Sequence, residues 1–137
     1  MSEARELALR ALRHRDHSRR DLDRRLERAG IPTGERERTL DALRDAGLQS
    51  DVRFAEARAR SLIERCAGDD LVRRDLALHG IEEEVVTDVL AELPPEVERA
   101  ELAFARRGGD GKALRYLAAK GFGADSLERL ACELPTQ

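Results

Sequence analysis

The chain has 137 residues, of which 41% are hydrophobic and 39% charged but only 3% aromatic, with no Trp, one Tyr and three Phe. That length allows roughly two-thirds of the unfolded surface to be buried in one compact domain, but so few aromatics argue against a thick sandwich or barrel core and for thin layers of Leu, Ala and Val between helices. The net charge of −3 hides an asymmetry, with 12 basic and 10 acidic side chains in residues 1–50 against 13 and 18 in the rest; this suits electrostatic docking and does not by itself point to nucleic acid.

The first helix is marked by Leu7, Ala8, Ala11 and Leu12. Ser18 can cap a second, in which Leu22 and Leu26 share a face and Gly30-Ile31 ends the run. Thr33 can cap a third, carrying Thr39, Leu40 and Leu43, and Gly47 separates it from the next helical segment. After Ser50, Val52, Ala55, Ala59, Leu62, Ile63 and Cys66 recur at three- and four-residue spacing, which predicts a fourth helix. Val72 and Leu76 before Gly80-Ile81 mark the fifth, and Val89, Leu90 and Leu93 the sixth, with Glu82-Glu83-Glu84 in a first turn where they complement the helix dipole. Pro95 suits the first position of a seventh helix with Val97, Ala100 and Phe104. Ala113 and Leu117 before Gly121-Phe122 define the eighth, and Leu130, Ala131 and Leu134 the ninth. No sustained period-two alternation appears, so the expected class is all-α.

These elements repeat. The pattern of two apolar residues four apart, a Gly four later and an apolar residue after it occurs three times, at offsets of 50 and 41 residues. A Gly there supplies the left-handed conformation that stops a helix, and the next residue folds back on the last turn. The third-helix residues recur in the same register. The expected architecture is three tandem three-helix repeats, 1–48, 49–93 and 94–137, forming an elongated curved rod of about nine helices.

Catalytic and metal chemistry find no support. Gly108-Gly109-Asp110-Gly111-Lys112 is a poor phosphate loop: Arg106 stands where the first Gly belongs, Ala113 where Ser or Thr would bind magnesium, and no strand precedes it. It reads as a helix-entry loop whose Lys112 can still donate to a partner. His14 and His17 lack further ligands at matching spacing, Cys66 and Cys132 form no CxxC, and both cysteines are expected to be free core thiols. His79 is expected to cap the last turn of its helix. No catalytic, cofactor-binding or metal-binding residues are expected. No apolar run is long enough for a membrane span or a signal peptide, so a cytoplasmic protein is expected.

The least bland feature is basic. Between Arg10 and Arg28 stand eight Arg against four acids, and Arg13, Arg20, Arg24 and Arg28 fall near one face of the first two helices. Interleaved acids allow a solvated face; the other reading is contact with an acidic protein surface or with phosphates. Arg25 is a candidate contact with these four.

Three stretches resemble one family, the RecX regulatory proteins. Gly47-Leu48-Gln49-Ser50-Asp51-Val52-Arg53-Phe54-Ala55 is similar to the family's G-L-x-D-D-x-R-F-A segment. Gly68 followed by Arg73-Arg74-Asp75-Leu76 and Gly80-Ile81 resembles its glycine, basic helix and L-x-x-x-G-I, and Lys120-Gly121-Phe122 its K/R-G-F. The resemblance implies a non-enzymatic protein without cofactor that binds the RecA recombinase, lies in the groove of the RecA–single-stranded DNA filament, and inhibits RecA's ATPase, strand-exchange and co-protease activities. In the matching segments Asp51 is expected to cap a helix, Phe54 to anchor the second core, and Arg53 to serve a salt bridge or the partner. Arg73 and Arg74 are further partner candidates, as are Lys112, Arg115 and Lys120. The chain departs from the family pattern at Ser50, at Asp69-Asp70, which disfavour a phosphate contact at that helix start, and at Gly123, which weakens a cap. A monomer with weak direct DNA contact is expected. A direct helical nucleic-acid binder and a generic helical scaffold remain the alternatives.

Overall fold

The computed structural model describes residues 2–134; Met1 and residues 135–137, the end of the expected third unit, lie outside that range. The described residues form nine helices and no strand: α1 (Glu3–Leu12), α2 (Arg19–Arg28), α3 (Thr33–Asp45), α4 (Asp51–Glu64), α5 (Asp69–Leu78), α6 (Glu83–Ala91), α7 (Glu96–Arg106), α8 (Gly111–Ala119) and α9 (Ala124–Ala131). Extensive helix-to-helix packing falls within three consecutive triplets, each around its own core. In the first, Ala4, Ala8 and Ala11 pack against Leu22, Leu26, Ile31, Leu40 and Leu43. In the second, Phe54, Ala55, Ala59 and Leu62 meet Val72, Leu76, Ile81, Val86 and Val89. In the third, Ala100 and Phe104 meet Ala113, Leu117, Phe122 and Leu130. Each first helix gives Ala to the contact, letting its neighbours approach; of buried residues α1 gives only Ala, whereas α4 adds Phe54 and Leu62 and α7 adds Phe104. Burying each Leu or Ile contributes about 1.5–3 kcal/mol.

The Gly stop has one geometry in all three copies. Gly30, Gly80 and Gly121 have φ of +84°, +79° and +86°. The amides of Ile31, Ile81 and Phe122 then donate back to the carbonyls of Leu26, Leu76 and Leu117 at 3.1, 3.0 and 3.2 Å. This satisfies the last carbonyls of each second helix and pins the following apolar residue onto its core.

Several sequence expectations are corrected. Val52 is 49% exposed, so it lies outside the core. Cys66 and Cys132 are free, but only Cys66 touches a core: half-buried beyond the end of α4 at φ +68°, it packs against the third core, whereas Cys132 is exposed at the end of α9. The third helices roll about their axes from copy to copy, so Leu40 is buried, Leu90 half-buried and Ala131 exposed, while Val86 and Ser126 turn inward instead. Thr33 begins α3 without capping it, because Pro32 holds the extended N-cap conformation. Pro95 likewise sits at the N-cap of α7, leaving Glu96 as the first helical residue.

Candidate functional site

Beyond the cores, what the sequence builds with most care is the contact between successive triplets. At both contacts an acid that opens the next triplet's first helix accepts a hydrogen bond from the first amide of the preceding triplet's second helix. Asp51 Oδ1 accepts from the Arg19 amide at 2.8 Å, and Glu96 Oε2 from the Asp69 amide at 2.7 Å. A helix N-terminus has unpaired amides and a positive dipole end, so a carboxylate is the natural group there. Asp51 therefore caps a helix, as expected, but α2 and not its own; Ser50 caps α4 by accepting from the Arg53 amide.

The second helices also meet end to end. The last turn of α8 reaches the first turn of α5 through backbone alone: the Gly68 amide donates to the Lys120 carbonyl at 2.8 Å and the Asp70 amide to the Gly121 carbonyl at 3.1 Å. The end of α5 reaches the start of α2 through side chains. His79 Nδ1 lies 2.6 Å from Asp21 Oδ2, and the Arg20 side chain lies against Gly80. Running α8, α5, α2, the three form a column in which each carbonyl end faces an amide end.

Polar side chains lock both contacts. At the first, Gln49 Nε2 donates to the His17 carbonyl and to Asp51, and Arg53 donates to Asp16 and to the carbonyls of Gly47 and Leu48. His17 is buried with Nε2 on the Ala11 carbonyl, and this burial, with the nearby Arg15 and Arg25 charges, lowers its pKa. His14, by contrast, is exposed. At the second contact, Glu96 Oε1 accepts from the Gly123 amide and the Ser126 hydroxyl. Burial pushes its carboxyl up, but the hydrogen bonds from Asp69, Ser126 and Gly123 outweigh this and hold its pKa below the usual value. Arg99 closes the joint on the Asp69 carboxylate at 2.7 Å. Inside the second triplet, Arg58 grips Asp75 with two bonds of 2.8 and 2.7 Å, which lowers the carboxyl's pKa.

The candidate basic residues divide between these joints and open surface. Arg53 is committed to the first joint, Arg20 covers Gly80, and Arg73 pairs with Glu83 at 2.8 Å. Lys120 is half-buried, with its carbonyl bonded to Gly68. Arg13 is exposed at the end of α1, and Arg24, Arg25 and Arg28 are exposed on α2. Lys112 is exposed in the first turn of α8. Arg24, Arg74 and Arg115 occupy one position of the repeat, on α2, α5 and α8 respectively. All three are exposed and, among the described residues, none takes part in an ion pair. The column thus shows one guanidinium per triplet at matching places. Among the described residues, no group of three or more His, Cys, Asp or Glu could hold a metal ion, and no helix is long and apolar enough to cross a membrane.

Sequence reading missed Gln49, Asp75, His79 as a joint residue, Glu96 and Arg99. The one signal it held for Glu96 was position, since this acid opens its triplet's first helix as Asp51 does.

The fold and its joints define a tandem three-helix repeat protein of the all-α class. A family model described as RecX, second three-helix domain, matches residues 50–90. Regulatory protein RecX of Chromohalobacter salexigens is 39% identical over 127 residues, covering 86% of this chain and 84% of that protein. Regulatory protein RecX of Halorhodospira halophila is 36% identical over 137 residues, covering 93% and 85%. The chain belongs to the RecX family. Its fold is also that of the crystal structure of RecX from Lactobacillus salivarius, with a TM-score of 0.80 at 23% identity, covering 96% of this chain and 94% of that one.

Proposed function

We propose that this RecX family member is a non-enzymatic regulator that binds RecA and lies along the RecA–single-stranded DNA filament as a monomer in the cytoplasm, without cofactor. It inhibits the ATPase, strand-exchange and co-protease activities of RecA, and so modulates recombination and SOS repair. The observation that carries this reading is the repeated arginine of the column. A filament offers one surface again and again, and Arg24, Arg74 and Arg115 offer one cation again and again. Units 1–48, 49–93 and 94–137 would each meet an acidic or phosphate-bearing surface, and the joints between them would hold the spacing. Bridging of neighbouring subunits is the consequence, and a bridged filament resists the subunit movement that ATP turnover requires.

The test is RecA ATPase on single-stranded DNA, measured with increasing amounts of this protein at two salt concentrations. Inhibition that saturates and weakens at high salt is expected, because exposed charge pairs are screened. No inhibition at either salt, with the protein folded, would refute the reading.

A further inference from the structure

A cleft opens beside the second joint, away from the polar side chains that lock it. It has a volume of ≈ 640 Å³ and lies between α7 and α8, beside the turn that ends α4. Its walls are Cys66, Ala103 and Ala113, its rim is Arg106, Arg107 and Lys112, and the ring of Tyr116 lies within it. No acidic side chain lines it, and among the described residues no ion pair engages the three cations. In a chain with an excess of acids, three neighbouring uncompensated cations around a concave surface are a place for an anion. The nearest acid in sequence, Asp110, turns its carboxylate onto the Ala113 amide at 2.9 Å as the cap of α8.

The cleft has a second feature that a bare anion site does not need. The Arg107 guanidinium carbon lies 3.3 Å above the centre of the Tyr116 ring. One face of the guanidinium is on the ring, and Arg107 is an exposed residue, so the planar stack offers its outer side to a further flat group. Nucleobases stack on arginine planes and on aromatic rings with little regard to sequence. A cleft of this volume falls within the usual range for a small-molecule site.

We propose that this cleft seats one nucleoside phosphate unit, with its phosphate between Arg106 and Lys112 and its base against the Arg107–Tyr116 stack. The unit comes either from a free nucleotide or from a single strand; the rim is formed by exposed side chains, which leaves room for a strand to continue past it. This inference does not rest on the reading of the protein as a RecA regulator.

The chain contains no Trp and only one Tyr, so its intrinsic fluorescence reports on Tyr116 alone. The test titrates the full chain with a twelve-residue oligothymidylate, with thymidine monophosphate and with inorganic phosphate. It follows Tyr116 emission, corrected for nucleotide absorption, and binding of the labelled oligonucleotide by anisotropy. Saturable quenching by the oligonucleotide or by the mononucleotide, with inorganic phosphate at least tenfold weaker, is expected, and the ratio of the first two tells a strand from a free nucleotide. Arg107→Gln and Lys112→Gln replace exposed side chains, and circular dichroism checks their fold. Each should weaken binding several-fold, and Arg107→Gln should also reduce the quenching. Equal response to inorganic phosphate would overturn the seat for a base. Oligonucleotide binding that leaves Tyr116 emission and both variants unaffected would place binding elsewhere, and no binding in any arm would refute the proposal.

Discussion

The two joints solve one problem with different materials. In each, the end of one second helix must meet the start of another, and a carboxylate from the next triplet must cover the exposed amides. The first joint does this with side chains: His79 reaches Asp21 and Arg20 lies over Gly80. The second uses backbone, with the Gly68 and Asp70 amides on the carbonyls of Lys120 and Gly121. The cause is one repeat position. Ser18 precedes α2 and caps it with its hydroxyl, while the equivalent Gly68 precedes α5 and has no side chain. A Cβ on Gly68 would lie 2.4 Å from the Gly121 carbonyl carbon and the Phe122 amide nitrogen. The glycine thus trades a hydroxyl cap for close approach; Glu96 covers the first α5 amide, as Asp51 does for α2, and the Gly121 carbonyl takes the next one. A side-chain joint can adjust to a substitution; a backbone joint cannot.

The largest effect is therefore expected from Gly68→Ala. Its φ of −83° suits any residue, so all of the cost comes from separating the helices, about 2–3 kcal/mol by chemical denaturation. A change below about half a kcal/mol, the scale of an ordinary surface substitution, would show that the joint can give. Next comes Glu96→Gln, which weakens a charge-assisted set and should cost about 1–2 kcal/mol at pH 7. The sign of its pH dependence is set by the lowered pKa. The charged form is favoured in the fold, so its stabilisation is complete above the usual carboxyl value of 4.5 and is lost as pH falls through the folded value. The variant should close on the parent in acid. His17, also lowered, adds a loss that begins below its usual 6.5, because burial favours its neutral form in the fold. Stability should thus decline from near pH 6.5 downwards, and a flat profile from neutral pH into the carboxyl range would contradict both assignments. The smallest effect is expected at the first joint. In Gly80→Ala the new Cβ meets Arg20 alone, whose Nε and Cδ can swing aside while its Cβ, at 2.8 Å, is fixed to α2. The cost should be that of the left-handed backbone, about 1 kcal/mol, plus a slight shift of α2, and stay below that of parting two backbones at Gly68. A larger loss than in Gly68→Ala would reverse the comparison.

How legible this was from the sequence depended on what each residue touches. The helices and the Gly stops were readable because they depend on neighbours three to five positions away, as in Leu22, Leu26, Gly30 and Ile31. The same offsets relate Arg24, Arg74 and Arg115, although by residue type alone these stood only as separate candidates among other basic residues. The joints were not readable, because Asp51 and Arg19 are 32 residues apart and Glu96 and Asp69 are 27 apart, and periodicity carries no information on such pairs. The third helices were only half-readable: their apolar residues recur in register, but each helix rolls to fit its own core, turning Ala131 out and Ser126 in. Arg53 shows why a basic residue cannot be assigned to a partner by type alone. Its guanidinium is occupied by Asp16 and by two carbonyls of its own joint.

The central claim is that the column presents one arginine per unit to a repeating surface. Its most direct test is binding to RecA–single-stranded DNA filaments by the single variants Arg24→Glu, Arg74→Glu and Arg115→Glu and by the triple variant. Each single reversal should weaken binding by about five-fold, the scale of one exposed charge contact, and the triple by roughly a hundred-fold, since distant sites add. Binding by the triple variant equal to the parent's, or a loss confined to one arginine with the other two silent, would contradict the account.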